Sequence, residues 1–264
     1  MISLREVWIY PVKSLPGVKV QAGSIDDRGL VGDRRFMVVD PGGRFVTQRE
    51  RPRLALVEAT LGETLRLRTP AGAAVEVPLD VDEGEREVTV WGDAVPAVDA
   101  GDDAAALLSG HLDADVRLVR MPGSTRRAAD PGHARDGDLV SFADGFPFLL
   151  VSRASVDAIA ARVDGPIDVR RFRPNLVVDG VDAFAEDDWT TFGIGDVTFH
   201  ARKPCARCQV VDVDPDTGRP GRGVLKELAR SRRRGNAALF GQNLVHDGPG
   251  VVRVGDAVRA IATA

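Results

Sequence analysis

Only two of the 264 residues are cysteine, Cys205 and Cys208, and that scarcity removes several possibilities at once. A disulfide framework of the secreted kind needs more pairs, so a reducing compartment, the cytoplasm, is expected. An iron–sulfur cluster typically needs about four thiolates, so the chain is not expected to hold its own. Long apolar runs are missing too: "FPFLLV" falls far short of the ~20 residues of a membrane span. The first residues, "MISLREVWIYPV", carry a glutamate and a strand-like pattern, which is not a secretory signal. No glycine fingerprint opens a βαβ unit, which argues against a dinucleotide. There is no internal repeat and no low-complexity tract. Lysine occurs only at Lys13, Lys19, Lys203 and Lys226, so the 35 basic residues are overwhelmingly arginine. Against 39 acidic residues they leave a net charge of −4, which argues against a bulk nucleic-acid binder. Local clusters, not total charge, must therefore carry the functional argument.

Short strand patterns separated by turns fill the first half. "RRFMVV" and "RFVTQR" flank the hairpin signal "DPGG", Asp40 to Gly43. "LALVEATL", "TLRLRT", "AAVEVPL" and "EVTVWG" follow at roughly 8–12-residue spacing, which predicts a barrel or sandwich. "DDAAALLSGHL" (102–112) reads as a helix with Ala105, Leu108 and Leu112 on one face. The polar stretch 121–138 reads as a long loop or domain connection. "FPFLLVS" then predicts a buried strand ending at Ser152, the N-cap of a helix "RASVDAIAARV". "NLVVDG" and "FGIGDVTFHARKP" return to strands. A basic helix over 224–234 is expected to end at Gly235 as its C-cap, and "GVVRVGDAVRAI" reads as a closing hairpin. The fold class is mostly β (β-barrel, α+β), with two or three helices.

The cysteines lie in "KPCARCQVVDVDPDTG". A dithiol oxidoreductase sets Cys-x-x-Cys at a helix N-terminus. Here Val211 and Val213 alternate with Asp212 and Asp214, which predicts a strand beginning at Cys208 and then a turn. Cys205 is expected in the less constrained connection after Pro204. Zinc needs four ligands, and His111, His133, His200 and His246 show no ligand spacing. Arg202, Lys203 and Arg207 would favour a thiolate, which is both a nucleophile and a soft metal ligand. Both thiols as small buried hydrophobes is an equally simple reading. Three further polar clusters sit at strand ends, where function often resides. They are Lys13 and Ser14 in "YPVKS", Asp33, Arg34 and Arg35 in "GDRRFM", and Arg171, Arg173 and Asn175 in "RRFRPNLVV".

Taken in order, "YPVKSLPG", "GDRRFMVVD", "RFRPNLVVDG", "FAEDDWTTFGIGDVTF", "CARCQVVDVDPDTG" and "LFGQN" resemble the MOSC-domain family. The likeness spans nearly the whole chain, and is strongest to members that reduce amidoximes and N-hydroxylated bases. It implies an N-terminal β-barrel domain, 1–120, whose first strands contribute to the cofactor site, followed by a MOSC domain, 121–264. It implies the molybdenum cofactor, with Cys208 as the metal ligand and catalytic residue. Lys13, Ser14, Arg34, Arg173 and Asn175 are implied to bind pterin and phosphate, with Arg207 beside the ligand. The implied reaction is two-electron reduction of a small N-hydroxylated substrate. Electrons would come from a separate protein, ferredoxin-like or a flavin reductase. MOSC domains also accompany cofactor-sulfurating enzymes, so a sulfur carrier or cofactor-delivery protein using a cysteine persulfide is the alternative.

Overall fold

Short runs of β-branched residues closed by Gly, Asp and Pro turns make strands the dominant element. The computed structural model describes residues 1–80, 84–163, 165–221 and 223–263. Its largest sheet runs Val258–Thr263, Trp189–Ile194, Val197–Arg207, Ala237–Asp247, Phe148–Ser152, Leu176–Asp179, Ser3–Ile9, Val18–Val20. Neighbours on that path are antiparallel except Phe148–Ser152 and Leu176–Asp179. A parallel pair needs a crossover, and a helix over Arg153–Ala160 supplies it. Ser152 caps that helix by accepting from the Ser155 N–H at 3.1 Å, as expected. Val156 and Ile159 then bury against Val151, Val177 and Phe240 on one face of the sheet.

Residues 36–120 build a second body. One sheet pairs Phe36–Val39, Arg117–Arg120, Asp93–Asp99 and Glu85–Val90, and another pairs Glu58–Leu61, Thr64–Arg68 and Ala74–Pro78. Val38, Leu54, Leu65, Leu67 and Val77 fill the space between, and the helix Asp102–Leu112 closes it with Ala104, Leu108 and Leu112. Each such leucine contributes on the order of 1.5–3 kcal/mol by leaving water. Of the first 35 residues, Val12 and Leu15 join this core, but the strands go elsewhere: Ser3–Ile9 pairs with Leu176–Asp179, and Ala22–Asp26 with Gly250–Arg253. Chain segments from both ends thus share sheets.

Four local expectations are corrected. "QVVDVD" is not a strand but a single 3-10 turn, Gln209–Asp212. Asp212 turns inward, and its Oδ1 accepts from the Val224 and Leu225 N–H groups at the start of the third helix, Val224–Ser231. That capping outweighs the alternating pattern. Second, this helix stops at Ser231; Arg233–Arg234 form a short strand against Ala237–Ala238, and Gly235, at φ 57°, serves the hairpin turn between them. Third, Gly250–Arg253 and Val258–Thr263 do not pair with each other but join separate sheets. Between them Val254 and Gly255 are held by the carbonyls of Gln21 and Leu4. Fourth, the "DPGG" turn forms, with Asp40 and Arg44 bonded, but the returning chain pairs only briefly. Beyond Val46 it curls into a turn on the Thr47 carbonyl.

Candidate functional site

Three sharp turns and one strand end converge on a cleft of about 150 Å³. Lys13 and Ser14 follow the strand Ser3–Ile9, Arg34 precedes Phe36–Val39, and Arg173 and Asn175 precede Leu176–Asp179. Cys205, Arg207 and Cys208 stand at the end of Val197–Arg207. The seven residues that the resemblance implied for the cofactor, Lys13, Ser14, Arg34, Arg173, Asn175, Arg207 and Cys208, all line this one cleft, whereas Arg35 and Arg171 turn to Asp26 and Asp214 instead. Ser14, Arg34 and Arg173 have φ of 69°, 50° and 56°, the left-handed region that glycine occupies without cost. Three non-glycine residues held there together mark a place where side-chain identity matters more than local comfort.

The cations are not equivalent. Lys13 is 5% exposed; its ammonium donates to the Phe142 carbonyl at 2.8 Å and pairs with Asp144. Burial pushes the Lys13 ammonium below its ordinary range, and Asp144 partly restores it. Arg34 donates to Asp33, to Asn175 Oδ1 at 3.0 Å and to the Arg173 carbonyl at 3.2 Å. Burial opposes its charge, but the Asp33 carboxylate outweighs that and holds the guanidinium above its usual range. Asn175 spends its remaining groups on Leu149 N–H and the Trp8 carbonyl, so within the protein it positions Arg34 and the backbone. Arg173 is least compensated. One amino group donates to the Leu15 carbonyl at 2.7 Å, while its buried Nη2 has no hydrogen-bond partner among the described residues. Burial, and then the nearby Arg34, push its pKa down to about 10. Both guanidiniums lie on the ring of the sole tyrosine, Tyr10, 4.6 and 4.3 Å from its centroid.

The strand Val197–Arg207 carries Cys205 inside it, not in a loose connection as expected, and Cys208 follows its end. The two sulfurs differ in environment. Arg207 Nη1 donates to Cys205 Sγ at 3.1 Å and Nη2 to the Phe172 carbonyl, while the buried Arg207 Nε has no partner among the described residues. Cys208 is exposed and free. Charge therefore singles out Cys205, and accessibility singles out Cys208.

Sequence reasoning missed Arg49, Thr47, Asp144 and Asn243 on the lining and Tyr10 beneath it. Arg49 stacks on Trp91 at 4.6 Å, and its carbonyl accepts from Gln209, one residue past Cys208. Asp144 had no sequence signal; Tyr10 opens the "YPVKS" motif and was legible there. The lining sets five cations against one carboxylate, Asp144, in a protein whose net charge is −4. Such a pocket attracts and orients a polyanion, and guanidinium forks suit phosphate. Among the described residues no three of His, Cys, Asp and Glu converge to hold a metal ion. A metal at these thiols would need ligands from outside the protein. Among the described residues no helix is long and apolar enough to cross a membrane.

Residues 1–115 match the MOSC N-terminal beta barrel domain, and residues 137–259 match the MOSC domain. The chain is similar to mitochondrial amidoxime-reducing component 1 of Xenopus laevis, 32% identical over 277 residues, covering 97% of this chain and 81% of that protein. The protein of the same name from Homo sapiens is 33% identical over 278 residues, covering 97% and 82%. Molybdenum cofactor sulfurase of Danio rerio is 33% identical over 269 residues, covering 92% of this chain but 32% of that longer protein. The chain belongs to the MOSC-domain family, with the MOSC N-terminal β-barrel domain ahead of the MOSC domain.

Proposed function

We propose that this protein is a molybdenum-cofactor oxidoreductase that reduces N-hydroxylated compounds with electrons from a separate protein. The observation that carries the reading is one cleft holding five cations and two thiols, with Arg173 Nη2 and Arg207 Nε buried and unpartnered. A buried donor without an acceptor costs about 1–3 kcal/mol, so a ligand rich in acceptor oxygens is its natural complement. Arg173, Arg34 and Arg49 would hold the phosphate and pterin, Lys13, kept charged by Asp144, would add positive potential beside them, and Ser14 would add a hydroxyl. Cys208, exposed and free, would supply a soft thiolate to the metal. When bound, the cofactor supplies a two-electron redox centre. Reduction of an amidoxime to an amidine consumes two electrons and two protons and releases water. The names of the relatives support both this chemistry and the cofactor.

The likeness to molybdenum cofactor sulfurase supports a second reading, sulfur or cofactor delivery through a persulfide on Cys208. One preparation separates them. Protein made in cells that synthesise the cofactor should contain near-stoichiometric molybdenum and pterin, and should reduce an amidoxime with reduced viologen dye. Metal-free protein carrying a cysteine persulfide would overturn the reductase reading.

A further inference from the structure

The thiol cleft leaves the basic run at 224–234 without a role. That run carries Lys226, Arg230, Arg232, Arg233 and Arg234 against one acid, Glu227, in a protein of net charge −4. The fold divides these cations. Glu227 takes Arg230 through two bonds, at 2.8 and 2.9 Å, and stands 3.9 Å from Arg162. Arg232 pairs with Asp187 and lies over the Phe184 ring. Lys226, Arg233 and Arg234 are exposed, and among the described residues their side chains form no ion pair. Arg233 makes one bond, from Nε to the Gly235 carbonyl at 2.8 Å.

These cations stand beside the cleft without lining it. Ala238 pairs with Arg207 on one side and with Arg233 on the other. Arg233 is therefore two strand spacings from Arg207, roughly 10 Å. Cys208 follows Arg207, and Asp212, at the end of the next turn, holds the start of the helix that carries Lys226. Sheet and helix thus bring the unpaired cations to the neighbourhood of the two thiols.

We infer that this exposed basic face docks the acidic surface of a small electron-transfer protein, which passes electrons to the neighbouring cleft. This rests on the proposed reductase activity, which needs an outside donor. Unpaired cations on a rim speed encounter with an acidic partner and orient it without a large buried area. Nucleic acid fits less well, because the protein as a whole is acidic.

The probe is a plant-type ferredoxin, small and acidic, with basic cytochrome c as the control of opposite charge. Two reduced ferredoxins would each give up one electron, and with two protons from water the amidoxime becomes amidine and water. Calorimetry at low salt should show the full chain binding ferredoxin and not cytochrome c. Binding should weaken steeply as salt rises. Lys226→Glu combined with Arg234→Glu should weaken ferredoxin by at least about tenfold, and raise its KM in ferredoxin-driven reduction by a similar factor. The same double variant should keep its dye-driven rate, because neither residue lines the cleft. If the unaltered protein lacks dye-driven reduction yet binds ferredoxin through these residues, the docking face stands and the reductase reading fails. No ferredoxin binding, equal binding of cytochrome c, or indifference to the double variant would overturn the assignment. So would tighter binding of a short DNA duplex through the same residues. Self-association on charge reversal, with ferredoxin binding intact, would overturn it too, since the cations would then only guard a sheet edge.

Discussion

At the scale of single residues the two sulfurs pose the sharpest question. Arg207 engages Cys205, whereas Cys208 is exposed and free to coordinate. Cys208→Ala should therefore abolish dye-driven amidoxime reduction and molybdenum content, while Cys205→Ala keeps most of both. Activity and metal content measured side by side decide this, and equal loss in both variants would point to a dithiol. Ser14 offers a second test. Ser14→Gly relieves left-handed backbone at φ 69° but frees the unfolded chain, so stability should change by less than about 1 kcal/mol. Cofactor content should nevertheless fall, and unchanged content would remove the Ser14 hydroxyl from the site. These residues were legible because polar side chains clustered at predicted strand ends. Asp144 was not legible: it meets Lys13 across 131 residues of chain, and no local pattern encodes such a pair.

At the scale of elements, the helix Arg153–Ala160 stands on a buried polar chain. Ser152 Oγ meets Ser155 at 2.7 Å, and Ser155 Oγ donates to Glu186 at 2.9 Å. Ser152→Ala removes both the cap and one link of that chain, so it should destabilise the protein by about 1–2 kcal/mol. Urea unfolding would measure it, and a loss under a few tenths would show that Ser155 and Glu186 suffice. The cap was readable because serine stood directly before an apolar period of helical type. "QVVDVD" misled because alternation reports only which side chains could face a core. It does not reveal that Asp212 is 8% exposed and spent on the start of another helix.

For the whole molecule, charge pairs set the response to acid. Burial alone would raise the Asp99 carboxyl, but hydrogen bonds from Arg117, Gly101 and Arg86 outweigh it and hold it low. Asp168 behaves alike beside Arg170. Burial also keeps the His246 imidazolium below its ordinary range. A depressed folded pKa gives stability above the unfolded value and loses it as pH falls. The melting temperature should hold above about pH 6.5, decline slightly as His246 is forced to protonate, and drop steeply below about pH 4. Asp99→Asn should shrink that acid drop in a pH series of thermal melts, and an unchanged drop would remove Asp99 from the account. The mostly β class was legible at this scale from strand spacing. The sharing of sheets between early and late segments was not, because turn patterns carry no information about distant partners.

That sharing has a consequence for how the protein is made. The strand Ser3–Ile9 has its two neighbours in Val18–Val20 and Leu176–Asp179, and the latter is translated some 170 residues later. The β-barrel body at 36–120 can close while the ribosome is still at work, but Ser3–Ile9 then waits with one edge unpaired. The cleft also needs Cys208, so it comes into being only after that residue has been made. Whatever it holds must be delivered after both halves of the fold have met, and a nascent chain would gain from a chaperone shielding that waiting edge.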